Sequence, residues 1–267
     1  MSKEVTEPRG VQCSRRAMPA SERRSLVVLP TYNEAENVLP LAEQILAVSP
    51  TIEVLVVDDN SPDGTGDLVA ERGRVEPRLH LLRRAGKLGL GTAYLAGFGH
   101  GLENGYDQVF TMDADFSHNP RYLPQMLASM KDHDVVIGSR YVPGGAIENW
   151  PIHRRLLSAF ANFYASRLLG LTVRDCTSGF RCYSAEVLST VEPFEIRSSG
   201  YSFLEEMAFR VSRCGFRIGE VPIIFENRRA GSSKIDSREI YRAAWHVLVT
   251  AIRPPKRPSR RAPHDEA

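Results

Sequence analysis

No apolar run in this sequence approaches the ~18 residues needed to cross a bilayer, so no transmembrane helix is expected. Arg15-Arg16 is not followed by an apolar stretch but by Pro19, Glu22, Arg23 and Arg24, which argues against a twin-arginine signal. Cysteine is scarce. Cys13, Cys176, Cys182 and Cys214 form no C-x-x-C pair, which disfavours a zinc site or dithiol motif and predicts a cytosolic chain with reduced thiols. The seven histidines show no metal-ligand spacing, and Ser178 and Ser199 lack a His/Asp constellation, so no hydrolase is read. There is no G-x-x-x-x-G-K-[ST], and Gly89 and Gly91 lack the later glycine of a dinucleotide fingerprint. A P-loop nucleotidase and a Rossmann dehydrogenase are therefore disfavoured.

Excess charge is missing too, since the net charge is +2, but its distribution is uneven. Residues 1–24 carry +3, residues 253–267 carry +3, and the body between them carries −4. An acidic body with basic ends does not read as a nucleic-acid binder, whose basic residues belong on the folded face. The ends suit an anionic membrane surface, or they keep the protein soluble. With 42% apolar and 25% charged residues the composition is that of an ordinary globular protein, one large domain or two small ones.

Short apolar strands are expected at Leu26–Leu29, Glu53–Val57, Leu79–Leu82, Gln108–Met112 and Asp134–Gly138. Helices fall between them: Asn37 to Val48, a stretch from Thr65, one opened by Gly86-Lys-Leu-Gly-Leu-Gly91, and one begun by Pro120. Alternating strands and helices predict an α/β fold with a mainly parallel, Rossmann-like sheet. Ligands sit beyond the carboxyl ends of such strands, so loops starting at Pro30, Asp58, Asp113 and Ser139 should converge. After about residue 150 the pattern is helical, with one strand at Arg217–Phe225.

Asp113-Ala-Asp115 follows a strand, so both carboxylates can reach one hard cation; in isolation it reads as an acidic turn. Asp59 could accept hydrogen bonds from a base or ribose, or serve the turn Asn60–Gly64. Arg83, Arg84 and Arg242 read as solvated surface charges. Arg228, Arg229 and Lys234 flank Gly231-Ser-Ser233, a loop suited to closing over a diphosphate. From Ser237, Arg238, Arg242, His246 and Thr250 form a polar stripe, and Tyr241, Trp245, Leu248 and Ile252 an apolar one. That helix is either interfacial or packed on the core.

Together the loops are more specific. Pro30-Thr-Tyr-Asn-Glu34, Val57 through Thr65, Lys87-Leu-Gly-Leu-Gly-Thr-Ala-Tyr94, Met112-Asp-Ala-Asp-Phe-Ser-His118 and Gly138-Ser-Arg-Tyr141 occur in this order. Glu148-Asn-Trp150, Thr177-Ser-Gly-Phe-Arg181, Gly200-Tyr-Ser-Phe203 with Glu206, and Arg228 through Lys234 follow. From about Leu26 to Ile252 this resembles family 2 glycosyltransferases of the GT-A fold, and among them the dolichol-phosphate (polyprenol-phosphate) mannose synthases.

The resemblance implies an inverting enzyme moving mannose from GDP-mannose to a polyprenyl monophosphate at the cytosolic membrane face. It places Pro30, Tyr32, Glu34, Val57 and Asp59 around the nucleotide. Asp113, Ala114 and Asp115 fall at the diphosphate and at a Mg²⁺ or Mn²⁺ ion. Ser117 stands where some relatives have a Gln metal ligand, and its shorter side chain leaves room for a water instead. Arg140, Arg228 and Lys234 meet phosphates or sugar, and Arg140 and Arg154 hold the acceptor phosphate. Some relatives carry fused transmembrane helices or need a membrane-protein partner, and neither is visible here. The implied organisation is a disordered basic arm (1–24), a glycosyltransferase domain (25–236), an amphipathic helix (237–252) and a disordered basic tail (253–267). Rival readings are the same fold using UDP-glucose or another donor, a non-catalytic nucleotide-sugar-binding protein, and a nucleotidyltransferase releasing pyrophosphate.

Overall fold

The computed structural model describes residues 23–196, 198, 200–226 and 237–255. A seven-stranded sheet forms its centre. Its strands are β1 (Ser25–Thr31), β2 (Ile52–Asp58), β3 (Leu79–Arg83), β4 (Gln108–Thr111), β5 (Val135–Ser139), β7 (Arg181–Ser184) and β8 (Ile218–Pro222), in the order β3-β2-β1-β4-β7-β5-β8. β6 (Ala146–Ile147) and β9 (Ile224–Phe225) make a separate parallel pair. The helices are α1 (Val38–Leu46), α2 (Thr65–Gly73), α3 (Leu90–Glu103), α4 (Leu123–Ser129), α5 (Ile152–Leu169), α6 (Ala185–Thr190), α7 (Tyr201–Arg213) and α8 (Ser237–Ile252).

β1 lies between β2 and β4, parallel to both, and Leu26 to Leu29 are fully buried. A strand covered on both faces reads as an unbroken apolar run, which is why it was visible in the sequence. Its alternate side chains feed two cores. Leu26 and Val28 join Phe98, Tyr183 and Met207 on one face, while Val27 and Leu29 join Leu41, Ile45 and Leu123 on the other. α3 sits so close to β1 that a Cβ on Gly97 would lie 2.5 Å from a Val28 methyl.

β7 was not expected. It runs antiparallel to both neighbours and separates β4 from β5, so these two parallel strands never pair with each other. Its residues, Arg-Cys-Tyr-Ser, do not read as a core strand, yet Arg181 is wholly buried. Its guanidinium donates to the carbonyls of Cys176 (2.5 Å), Leu204 (2.7 Å) and Ser178 (2.7 Å), and these dipoles replace water around the charge. The single strand expected over Arg217–Phe225 is two, in different sheets.

At the chain's entry Arg24 is part of the fold rather than of the arm. It donates to Asp107, Asn104 and Glu53 and stacks on Tyr106.

Candidate active site

The parallel strands end on one side, and their loops meet there. Thr31 Oγ1 donates to Asp58 Oδ1 at 3.0 Å, Asn33 N–H to Ser61 Oγ at 3.1 Å, and Glu34 N–H to Thr65 Oγ1 at 3.0 Å. These bonds join the loops after β1 and β2. On the other side of β4, Thr111 Oγ1 donates to the Gly179 carbonyl and Ser178 Oγ to the Gly138 carbonyl, both at 2.7 Å. The expected convergence of the loops at Pro30, Asp58, Asp113 and Ser139 is present. Asn33, Asn60 and Phe116, one in each of the loops after β1, β2 and β4, have left-handed backbones (φ 61, 56 and 64°). Asparagine tolerates that region, and a phenylalanine there is held by its surroundings.

Asp113 and Asp115 stand just past β4. Asp113 Oδ1 accepts from the Tyr94 hydroxyl at 3.2 Å, and its N–H donates to His118 Nδ1 at 3.0 Å. That bond requires an unprotonated Nδ1, and burial lowers the His118 pKa, so the ring is a neutral support. Asp115 Oδ1 accepts from Ser117 N–H at 3.0 Å and Ser117 Oγ at 2.5 Å. Ser117 thus orients the carboxylate. Gly179 presses on this group, since a Cβ there would lie 3.2 Å from the Tyr94 hydroxyl and 3.6 Å from Asp113 Oδ1.

Pro30 lies near the end of β1, and Tyr32 and Glu34 in the loop after it, with Glu34 accepting from Asn37 Nδ2 at 2.9 Å. The side chains of Val57 and Ala114 belong to the two cores, which leaves only their main chain to meet a ligand. Asp59, 9% exposed, is paired with Arg84, 7% exposed. Arg84 is therefore no solvated surface charge. The strand register held the signal: Asp58 pairs with Arg83, so the residues one step beyond face each other.

Arg140 was expected to meet phosphate. The structure buries it against Asp175, to which its Nε and an Nη donate at 2.8 and 2.7 Å, and the same Nη donates to Thr177 Oγ1 at 2.7 Å. Burial alone would raise the Asp175 pKa, but the Arg140 charge and hydrogen bonds outweigh it and hold it low. The guanidinium also lies 5.5 Å from the ring of Phe225. Phe225 is a hub that sequence reasoning missed, for His118 and Trp150 also pack on it with ring centroids 5.5 Å away. Arg154 stacks on Trp150, 3.8 Å from the ring centre, at the start of α5. Arg228 and Lys234 lie outside the described residues.

Glu206 carries three partners: Arg210 (2.9 Å), Ser198 (2.9 Å) and, from α8, His246 (3.0 Å). Burial would raise its pKa, but His246, Ser198 and Arg210 together hold it low. Glu205 differs. Its Oε2 is buried without a hydrogen bond, and burial pushes its pKa up to about 8.

Residues 26–191 match the sequence profile described as Glycosyl transferase family 2. An undecaprenyl-phosphate mannosyltransferase of Micrococcus luteus is 45% identical over 224 residues, 84% of this chain and 92% of that protein. A polyprenol monophosphomannose synthase of Mycolicibacterium smegmatis is 44% identical, covering 88% of this chain and 91% of that protein. Among solved structures, glucosyl-3-phosphoglycerate synthase from Mycobacterium tuberculosis, in complex with Mn²⁺, UDP and glucosyl-3-phosphoglycerate, superposes with a TM-score of 0.62 at 18% identity, covering 88% and 82% of the two chains. A mannosyltransferase from Pyrobaculum calidifontis in complex with GDP-mannose and Mn²⁺ gives 0.60 at 18% identity, covering 90% and 68%. These likenesses show the GT-A fold. The chain belongs to glycosyl transferase family 2. Within it, sequence places the chain beside the polyprenyl-phosphate mannose synthases, the branch that the motifs resemble.

Proposed function

We propose that this chain transfers mannose from GDP-mannose to a polyprenyl monophosphate, with inversion, and releases GDP. The observation that carries the reading is the 44–45% identity to two mannosyltransferases of polyprenyl phosphates across more than nine-tenths of each. The site is consistent with it. Asp113 and Asp115 offer oxygen donors at a strand end, a hard set that fits Mg²⁺ or Mn²⁺. Mg²⁺ bound by one or two carboxylates takes its other ligands from substrate phosphates and water. When bound, such an ion neutralises charge developing on the leaving diphosphate.

The chain's own residues bind and orient. Pro30, Tyr32, Glu34, Asp59 and the main chain at Val57 and Ala114 hold the nucleotide, and Arg228 and Lys234 meet its phosphates. Arg154, ordered on Trp150, holds the acceptor phosphate in line with the anomeric carbon. Arg140, tied to Asp175, shapes the wall between them and adds its charge. An in-line attack opposite the leaving GDP gives a β-linked product from an α-linked donor.

The acceptor brings the site to a membrane surface, and two helices suit that. α5 and α8 pack together and leave large apolar side chains in solvent: Ile152 (72%), Leu156 (65%), Phe160 (63%) and Phe163 (65%), with Tyr241 (76%) and Trp245 (67%). α5 has Arg154, Arg155 and Arg167 and no acidic residue. No helix among the described residues is long and apolar enough to cross a membrane. The exposed apolar and basic side chains of α5 and α8 support peripheral docking on anionic lipid as the proposal. A panel of GDP-mannose, UDP-glucose and other donors with purified protein, Mg²⁺ or Mn²⁺ and a polyprenyl phosphate tests the whole reading. GDP release and mannosyl lipid only with GDP-mannose is expected; turnover with UDP-glucose instead would replace the donor, and pyrophosphate release would replace the reaction.

A further inference from the structure

The two carboxylates past β4 are held in different ways. Asp115 is 6% exposed and is oriented by Ser117 from its own loop. The Asp113 side chain is 36% exposed. His118 Nδ1 accepts from its main-chain N–H, and the same nitrogen stands 3.9 Å from Oδ2, beyond hydrogen-bond reach. Its carboxylate is reached from another element altogether, by the Tyr94 hydroxyl of α3 at 3.2 Å. Tyr94 has no place among the groups that meet donor or acceptor.

Tyr94 is wholly buried. Its ring centre lies 6.3 Å from that of Phe203, in the first turn of α7. α3 approaches this helix so closely that a Cβ on Gly91 would lie 3.1 Å from the Phe203 ring. An apolar niche of this kind would accept phenylalanine, and a buried hydroxyl is costly unless it is hydrogen-bonded. Among the described residues the hydrogen bond of this hydroxyl goes to Asp113 Oδ1. An ionised carboxylate only accepts, so the phenol donates. Gly179 backs the pair, since a Cβ there would lie 3.2 Å from the hydroxyl and 3.6 Å from Oδ1. Gly179 is fixed in turn: its carbonyl accepts from Thr111 Oγ1, and Ser178 Oγ donates to the Gly138 carbonyl, both at 2.7 Å. A donor on a locked ring, backed by fixed main chain, selects one orientation of the carboxylate.

We propose that Tyr94 is a positioning residue for the carboxylate pair: its hydroxyl sets the orientation of Asp113, so that Asp113 and Asp115 are presented together to one divalent cation. A phenol suits the task because it is neutral. It orients the carboxylate without cancelling its charge, whereas a lysine or arginine in its place would compete with the cation. The part is that of an outer group which fixes a ligand and never touches the metal. Gly179 belongs to the same device, because a side chain there would push the hydroxyl off its acceptor. The proposal rests on the reading of Asp113 and Asp115 as cation ligands given above.

The test is the Mn²⁺ dissociation constant of the full chain, read from the free-ion signal in electron paramagnetic resonance with GDP present. Melting temperatures and the Mn²⁺ dependence of mannose transfer are measured alongside. The variants are Tyr94→Phe, Gly179→Ala, the two combined, and Asp115→Ala. Tyr94→Phe keeps the buried ring and should fold, yet weaken Mn²⁺ binding roughly 10–100-fold. Excess Mn²⁺ should restore most of its kcat, because the ligands themselves remain. Gly179→Ala should weaken Mn²⁺ several-fold by itself and add little to Tyr94→Phe, which has no hydroxyl left to displace. A purely architectural tyrosine would lower the melting temperature and leave the Mn²⁺ constant alone. Wild-type Mn²⁺ affinity in folded Tyr94→Phe, with Asp115→Ala deficient, overturns the proposal and leaves the metal reading standing. Losses from Tyr94→Phe and Gly179→Ala that add in full would contradict the shared device. If Asp115→Ala binds Mn²⁺ as the wild type does, or the wild type binds none, the metal reading falls and takes the proposal with it.

Discussion

A phosphate monoester reaches this site already charged, with a second pKa of about 6, so near neutral pH its attack needs orientation and no base. That separates Glu206 from Arg154. Glu206, a buried carboxylate that could be read as a base, is engaged by Arg210, Ser198 and His246. Glu206→Gln is expected to lose about 1–3 kcal/mol of stability from a weakened buried pair, yet to turn over within about tenfold of wild type per folded molecule. Arg154→Ala should fold normally and lose roughly 10²-fold or more in kcat/KM for the lipid phosphate. Rates at saturating GDP-mannose decide it, and a 10²–10⁴-fold loss in folded Glu206→Gln would sink the base-free scheme. Asp115→Ala should abolish divalent-ion-dependent donor binding while the melting curve stays cooperative, and full turnover by that variant in excess chelator would remove the metal role. Glu205 gives a pH signature. Its folded pKa of about 8 lies above the ordinary 4.5, so the folded state holds a proton that the unfolded chain releases between those values. Stability is therefore lost as pH rises from about 4.5 through 8. Glu205→Gln removes the loss and should be more stable than wild type by about 1–3 kcal/mol at pH 8, with the gap closing towards pH 4.5. Equal melting temperatures at pH 8 would contradict it.

At the scale of elements, α8 shows how a stripe can be legible and its direction not. The spacing of Tyr241, Trp245, Leu248 and Ile252 marked one apolar face, and either solvent or core could have taken it. The structure exposes Tyr241, Trp245 and Ile252, half-buries Leu248, and points His246 and Thr250 inward, where they bond each other and His246 bonds Glu206. A helix tethered by its polar side is free to offer its aromatic side to lipid. Tyr241→Ser with Trp245→Ser should weaken co-sedimentation with anionic vesicles several-fold and leave the melting temperature within about 1 °C, because little of either ring is buried. Unchanged binding would assign the attachment elsewhere. Raising salt should weaken wild-type binding, since each basic residue near such a surface contributes about 1 kcal/mol. Strands were read well wherever both faces are apolar, as in β1 and β2. β7 escaped because its burial depends on Arg181 finding carbonyls, and β6 and β9, two residues each, are too short to show a period.

For the whole molecule, the order of motifs along the chain carried most of the site. Asp113, Asp115 and the loops after β1 and β2 lie where strand-end logic puts them. What the sequence hid is pairing across elements: Arg84 with Asp59, Arg140 with Asp175, and the ring of Phe225 between His118 and Trp150. Such contacts depend on which strands are neighbours, and neighbours in this sheet are not neighbours in the chain. The threading of β7 between β4 and β5 also orders the protein's synthesis. While the chain emerges, β1 to β4 can assemble as soon as residue 111 is out, because each of these strands pairs within that set. β5 is made next and finds no partner there. Its five buried residues, Val135–Ser139, stay exposed until 181–184 appear some forty residues later and close both seams. The half of the chain up to β4 can therefore mature early, whereas the half that follows passes through an interval when an apolar strand waits unpaired, the interval in which chaperones act and aggregation competes with folding.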